Sequence, residues 1–204
     1  MADAMNVVDW RADLTTETIE MLSQAFAGNP IHVAAFGADR VVERNRRFFA
    51  AGLSMFRGRR RMVVDGDHVV GFMHWVESPG CQYSAGKRLS LVPTMLRGFG
   101  LKATLRVGPW LSAWAKNDDA GPHVHLGPIG VDPRFHGKGI GGRMMRDFCA
   151  ALDAKSAAGF LETDKAENVG FYEKSGFRVI REVQVIGTAT YFMRRAAADS
   201  GKPG

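Results

Sequence analysis

The stretch His123 to Gly142, HVHLGPIGVDPRFHGKGIGG, constrains the fold of this chain more than any other. Its first half, His123 to Val131, alternates bulky and small residues and carries β-branched Ile129 and Val131 near its end, which predicts a strand. Asp132-Pro133 ends that strand, because proline has no amide to donate and restricts the residue before it. Gly137, Gly139, Gly141 and Gly142 follow, with Lys138 among them, and lead into the apolar-periodic Met144, Met145 and Phe148 of a helix. Glycines let a backbone approach a ligand closely, and the free N–H groups of a first helical turn favour an anion. The reading is a pyrophosphate cradle. The alternative is a glycine-rich turn before an ordinary helix.

Three cradles fit such a loop. A Walker loop needs Ser or Thr after its lysine, and Lys138 is followed by Gly139, which excludes it. Gly137-Lys138-Gly139-Ile140-Gly141-Gly142 fits G-x-G-x-x-G, and Glu162 lies 20 residues beyond Gly142, as a dinucleotide fold would ask. That fold needs its first glycine tight against the strand end, however, and Asp132 to His136 intervene. The third is the acyl-CoA loop, Gln/Arg-x-x-Gly-x-Gly/Ala, which His136 to Gly141 matches except that His136 stands at the first position. Further on, Leu161-Glu162-Thr163, Asn168 and Phe171-Tyr172-Glu173-Lys174-Ser175-Gly176-Phe177 form a second signature about 30 residues after the first.

With both signatures in this order, the chain resembles the GNAT superfamily of acyl-CoA-dependent N-acyltransferases, in its puromycin-type, small-amine flavour. The resemblance covers about Val124 to Phe177, and the N-terminal half only as a compatible order of elements. It implies an α/β fold: a twisted, mostly antiparallel sheet with a central splayed parallel pair and helices on both faces. It implies acetyl-CoA as co-substrate and a small-molecule amine as acceptor, with a peptide amino group or a non-catalytic acyl-CoA-binding module as alternatives. The residues that would hold the coenzyme are Ile129, Gly130 and Val131 on the strand, His136, Gly137, Lys138, Gly139, Ile140, Gly141 and Gly142 in the loop, and Asn168 with Tyr172 beyond.

The chemistry needs a neutral amine, a held carbonyl and a proton for the departing thiolate. Asn168 and Tyr172 are four apart and share a helix face, which makes the Tyr172 phenol the candidate acid, with a packing role as the plain alternative. His125 lies 11 residues before His136, where several members of the family carry a carboxylate base. A histidine titrating near about 6.5 suits that task, a structural histidine at a strand start being the alternative, and Glu162 is the second candidate. His123 and His125 share a strand face, which also allows a metal pair, but no third ligand is evident and no metal is expected.

The rest of the chain frames this unit. At 204 residues with 46% hydrophobic content, one domain over residues 1–195 is expected, followed by a disordered tail at 196–204. A net charge of +6 is spread out, and an anionic coenzyme is partner enough for it, so no nucleic-acid partner is expected. Cys81 and Cys149 are far apart, which suggests neither a disulfide framework nor a zinc site. With no signal-like start and no run of 18 apolar residues, a reducing cytoplasm is expected.

Asn6 to Arg11 predicts a first strand, then a helix capped by Thr15 or Thr16 and stopped at Gly28-Asn29-Pro30, then a second helix from about Asp39 to Met55. Asp65-Gly66 predicts a hairpin between Arg61–Asp65 and His68–Glu77, with His68 and His74 as strand residues. Between about 90 and 117, an apolar stripe from Val92 to Trp114 predicts two helical pieces broken at Gly98, Gly100 or Gly108-Pro109. Packing as an insertion over the acceptor pocket or as a homodimer seam is expected there; a membrane-surface helix is the alternative, and no stable membrane association is expected. The helix after the cradle is expected to run to Ala158, and a short one from Val169 to Ser175 to be capped by Asn168. Phe177 to Gly187 and Thr188 to Arg194 close the sheet.

Overall fold

The computed structural model describes residues 5–82 and 85–198. Its seven strands are β1 (Val7–Asp9), β2 (Arg59–Asp65), β3 (His68–Glu77), β4 (Val124–Val131), β5 (Gly159–Thr163), β6 (Arg178–Val185) and β7 (Thr188–Arg195). They lie in the order β1-β2-β3-β4-β5-β7-β6. β4 and β5 are parallel, and the other neighbours pair antiparallel. The α/β class and its central parallel pair are as expected. The crossover between β4 and β5 is helix α7 (Ile140–Asp153), as a parallel pair requires.

Strand alternation sends successive side chains to opposite faces. On one face Met144, Met145, Phe148 and Leu152 of α7, with Tyr172 of α8 (Ala166–Glu173), pack on Val124, Leu126 and Leu161. On the other, Leu22 of α1 (Thr15–Ala25) with Phe49 and Leu53 of α3 (Val41–Met55) covers Met62, Val69 and Phe72. Each fully buried side chain of this size contributes roughly 1.5–3 kcal/mol. Gly130 lets α1 lie close on β4, since a Cβ there would sit 3.1 Å from Leu22 Cδ2 and 3.3 Å from Ala25 Cβ.

The sheet follows the expected order, whereas several helix ends do not. The first strand shrinks to Val7–Asp9. Neither Thr15 nor Thr16 caps α1; the Thr15 hydroxyl donates back to Ala12 O at 2.6 Å, inside a preceding 3-10 turn. α1 ends at Ala25, with Phe26 as its C-cap, before the expected stop at Gly28-Asn29-Pro30, and Asn29-Pro30 instead starts a helix absent from the sequence reading, α2 (Pro30–Phe36). Asn29 Oδ1 accepts from Ile31 N at 3.0 Å, and Pro30 takes the first helical position, where its missing N–H costs nothing. α7 stops at Asp153, five residues short of Ala158. There Ser156 adopts φ 47°, and Ala157 N–H returns to Leu152 O at 3.0 Å, a helix end built without the usual glycine. α8 starts at Ala166, so Asn168 is its third residue and not its cap.

The insertion forms α4 (Ala85–Ser90), α5 (Val92–Phe99) and α6 (Leu101–Asn117). Its main break is at Gly100, whose φ of 77° excludes most side chains. Gly108-Pro109 does not break α6: the carbonyl that Pro109 leaves free belongs to exposed Leu105, on the solvent side. The apolar stripe is covered. Phe99, Ala103, Val107 and Trp110 pack on Ile31, Ala35 and Phe36 of α2, and Trp110 stacks on Phe48 at 5.4 Å. Arg106 Nη1 donates to Ala34 O at 2.9 Å, which explains a basic residue near the apolar side. Among the described residues, no helix is long and apolar enough to cross a membrane. Residues 196–198 carry no regular structure, and 199–204 of the expected tail lie outside the described residues.

Candidate active site

The cradle is built as its glycines demand. Gly137 and Gly139 hold φ of 77° and 74°, and a Cβ on either would meet nothing within 4 Å, so both face open space. Gly139 is the residue before α7, and the Arg143 amide is already bonded to its carbonyl at 3.1 Å. The amides of Ile140, Gly141 and Gly142 therefore have no acceptor inside the helix. Gly141 lies against Phe171, whose Cζ would be 3.3 Å from an added Cβ, so α8 meets the cradle there. His136 turns back, its Nε2 3.1 Å from Val131 O, and Lys138 Nζ sits 4.2 Å over the Phe135 ring. Both side chains are exposed at the rim.

Next to the cradle the sheet opens. β4 pairs with β5 only at Val124, His125 and Leu126, opposite Gly159, Phe160 and Leu161. Beyond Leu126 the strands part, and main-chain groups of Gly127–Val131 that point away from β3 have no strand partner. His74, buried on β3, helps to fix this point: its Nδ1 is 2.7 Å from Gly127 O, and its Nε2 meets Arg57 O. Across the wedge, Glu162 Oε1 comes within 3.8 Å of where a Gly127 Cβ would stand. A cavity of about 1040 Å³ joins the parts, lined by the cradle glycines, Ile129–Val131, Asn168 and Tyr172, and by Glu162, His125 and Asp118 at its other end.

Tyr172 is 6% exposed, with its ring 5.1 Å from Phe171 and 6.5 Å from Phe177. Burial, with the Glu162 and Asp164 charges adding, pushes its phenol well above the ordinary value. His125 does not behave as the free imidazole the sequence suggested. Its Nε2 lies 2.8 Å from Glu162 Oε2 in a close ionic contact, and its buried Nδ1 has no hydrogen-bond partner, Asp118 Oδ1 being 3.6 Å away. Burial alone would lower its pKa, but the Glu162 charge and Asp118 outweigh it, so the imidazolium is favoured.

His123, buried on the same face, has Nδ1 2.8 Å from Gly121 O and Nε2 3.1 Å from Asp118 Oδ1. Asp118 and Cys81 outweigh its burial and hold it at about 10. Asp118 follows α6 immediately; against its burial, His123, His125 and Gln82 keep it ionised. Cys81 Sγ is 3.4 Å from Asp118 Oδ2 and 3.6 Å from His123 Nε2. No sequence spacing joined Cys81 or Asp118 to this end of β4.

Asp164 is a further carboxyl that sequence reasoning missed. It is 7% exposed, lines the cavity and accepts from Thr190 Oγ1 at 2.6 Å. Burial, the largest cause, raises its pKa to about 6. Between 3.8 and about 6 the folded protein therefore binds more protons than the unfolded chain, and stability falls as pH rises through that window. Asp164→Asn keeps the oxygen that accepts from Thr190 and removes the ionisation. It is expected to be more stable than the parent by about 2–3 kcal/mol at pH near 8, and near parity at pH about 4. Denaturant melts at both pH values check this; an equal gap at both would refute the burial argument.

With the geometry in place, comparison with known proteins identifies the class. The model of the Acetyltransferase (GNAT) family matches residues 31–177, and the chain belongs to that family. The match extends well upstream of the two signatures. An 82-residue segment is 39% identical to the N-alpha-acetyltransferase RimI of Mycobacterium tuberculosis, over 37% of this chain and 48% of that protein, so it spans about half the length of this curated relative. Among solved structures, the fold is similar to one described as histone acetyltransferase HPA2 and related acetyltransferase from Corynebacterium glutamicum, with a TM-score of 0.73, 17% identity, and 95% and 96% of the two chains covered. It is also similar to arylalkylamine N-acetyltransferase 2 from Aedes aegypti, with a TM-score of 0.66, 16% identity, and 96% and 100% covered. A GNAT family acetyltransferase from Brucella melitensis, similar in fold at a TM-score of 0.52 and 16% identity, was solved in complex with acetyl-CoA.

Proposed function

We propose that the protein acetylates the amine of a small molecule, with acetyl-CoA and acceptor held together in the one cavity. The observation that carries this reading is the continuity of that cavity, from the open mouth of α7 through the β4–β5 wedge to the carboxyls of Glu162, Asp164 and Asp118. The cradle fits a diphosphate, since its two positive-φ glycines leave open space in front of unpaired amides. Acetyl-CoA supplies the acyl group as an activated thioester. The amides of Ile140, Gly141 and Gly142 would hold its diphosphate, with Gly137 and Gly139 giving the approach and His136, Lys138 and Asn168 at the sides. The main-chain groups of Ile129 and the N–H of Val131, which turn away from β3 on either side of Gly130, would bind the arm, and an N–H there would polarise the reacting carbonyl.

Tyr172 keeps its proton at any working pH, which suits a group that gives one to a departing sulfur. On the acceptor side, Glu162 is favoured as the proton acceptor, because it reaches across the wedge towards Gly127. His125, held protonated against it, is better suited to fixing that carboxylate than to serving as the base. Carboxyls at this end also favour an ammonium group before it loses its proton.

The acceptor's size follows from the roof. Met95, Phe99, Val107, Leu111 and Trp114 of the insertion line the cavity, which favours a compact amine with an apolar body over a peptide chain. A thiol-release assay with acetyl-CoA tests it. Arylalkylamines are expected to exceed peptides with a free α-amino end by at least about tenfold in kcat/KM. Preference for the peptides would overturn the small-amine reading in favour of a peptide N-acetyltransferase. Coenzyme binding without turnover on any amine would point to a binding module.

A further inference from the structure

We infer that Cys81, Asp118, His123 and His125 form a binding site for a single zinc-like divalent ion at the acceptor end of the cavity. Four residues from three segments offer one donor atom each: the turn after β3, the exit of α6 and the start of β4. All four atoms lie within 4.8 Å of one another. Tetrahedral zinc, with bonds of about 2.3 Å to sulfur and about 2.0–2.1 Å to nitrogen or oxygen, needs donor spacings of about 3.3 Å for N–O and about 3.5 Å for S–N and S–O. With Asp118 Oδ1 as the carboxylate donor, the spacings found are 3.1 Å to His123 Nε2, 3.6 Å to His125 Nδ1 and 3.6 Å from Cys81 Sγ to His123 Nε2; Cys81 Sγ lies 3.4 Å from the other oxygen, Oδ2, of the same carboxylate.

The outward-facing ring nitrogens supply a second, independent observation. A ligating histidine normally sets its other nitrogen against a carbonyl or carboxylate. His123 Nδ1 has the Gly121 carbonyl at 2.8 Å, and His125 Nε2 has the Glu162 carboxylate at 2.8 Å. Both rings thus turn their remaining nitrogen to the shared centre, and His125 Nδ1 is left there buried and unpartnered. A Cys-His-Asp nucleophile relay does not explain the arrangement. Such a relay needs thiol and acid on opposite nitrogens of the imidazole, and here Cys81 and Asp118 both crowd Nε2 of His123. Binding would release the Cys81 thiol proton and any protons on the facing imidazole nitrogens to solvent, and the ion would tie the exit of α6 to β4.

Cobalt(II) titration of untagged, chelator-stripped full-length protein tests this without reference to turnover. One equivalent is expected to give visible bands of tetrahedral intensity and a thiolate charge-transfer band in the near ultraviolet, both removed by one equivalent of zinc. Zinc is expected to raise the melting temperature of the parent. Cys81→Ser should lose the charge-transfer band, and His123→Gln should bind cobalt at least about tenfold more weakly. Circular dichroism of each metal-free variant separates lost ligation from lost folding. No tetrahedral spectrum in the parent, or a charge-transfer band that persists in folded Cys81→Ser, would overturn the proposal. Coenzyme affinity of the stripped protein, followed by calorimetry, reports on the acetyltransferase reading separately.

Discussion

Tyr172→Phe is expected to lower kcat by about 10²- to 10⁴-fold while the affinity for acetyl-CoA moves far less. The reason lies in what the substitution keeps. Tyr172 is buried, and its ring touches Phe171 and Phe177, so phenylalanine preserves the packing of α8 against the sheet and loses only the hydroxyl. A packing residue would barely notice the change. A proton donor would lose its function, because the elevated phenol pKa means the hydroxyl carries its proton throughout the working range. Steady-state kinetics with the best amine, beside a melting curve, decides between the two. A kcat within twofold of the parent would reduce Tyr172 to a wall of the cavity.

The second large effect concerns the cradle. Gly139 sits at φ 74° and ψ 9°, a left-handed conformation that asparagine and aspartate both tolerate better than other side chains. Gly139→Asn and Gly139→Asp therefore share a backbone strain and differ by one negative charge at the mouth of α7. If a diphosphate binds there, the aspartate variant should bind coenzyme A about 10- to 100-fold more weakly than the asparagine variant. Raising the ionic strength should narrow that gap, since the site is open to solvent. Equal affinities by calorimetry would move the coenzyme away from this loop.

How much of this was legible in the sequence depended on how local each signal is. The cradle and the Tyr172 helix are read from contiguous residues, so their glycines and aromatics could be placed before any fold was known. The hairpin at Asp65-Gly66 is local in the same way. Helix ends were less readable where one signal admits two readings. Asn29 and Pro30 read as a stop for α1, which already ends at Ala25, whereas their structural task is to start α2. Ser156 ends α7 in a place where glycine is the usual mark, so Ala154 to Ala158 looked like more helix. The acceptor end could not be assembled at all. Asp118 stands 37 residues from Cys81 and Asp164 approaches Thr190 across 26, and such pairs exist only once the sheet has brought them together.

The insertion of residues 85–117 rests on α2, α3 and β6, while the glycine loop of the cradle rests on β4, α7 and α8. On the proposed function, donor grip and acceptor choice fall to separable parts of the chain. Relatives could trade one roof for another and take up new amines while the machinery beneath stays intact, and a grafted roof is the natural route to redirecting this catalyst.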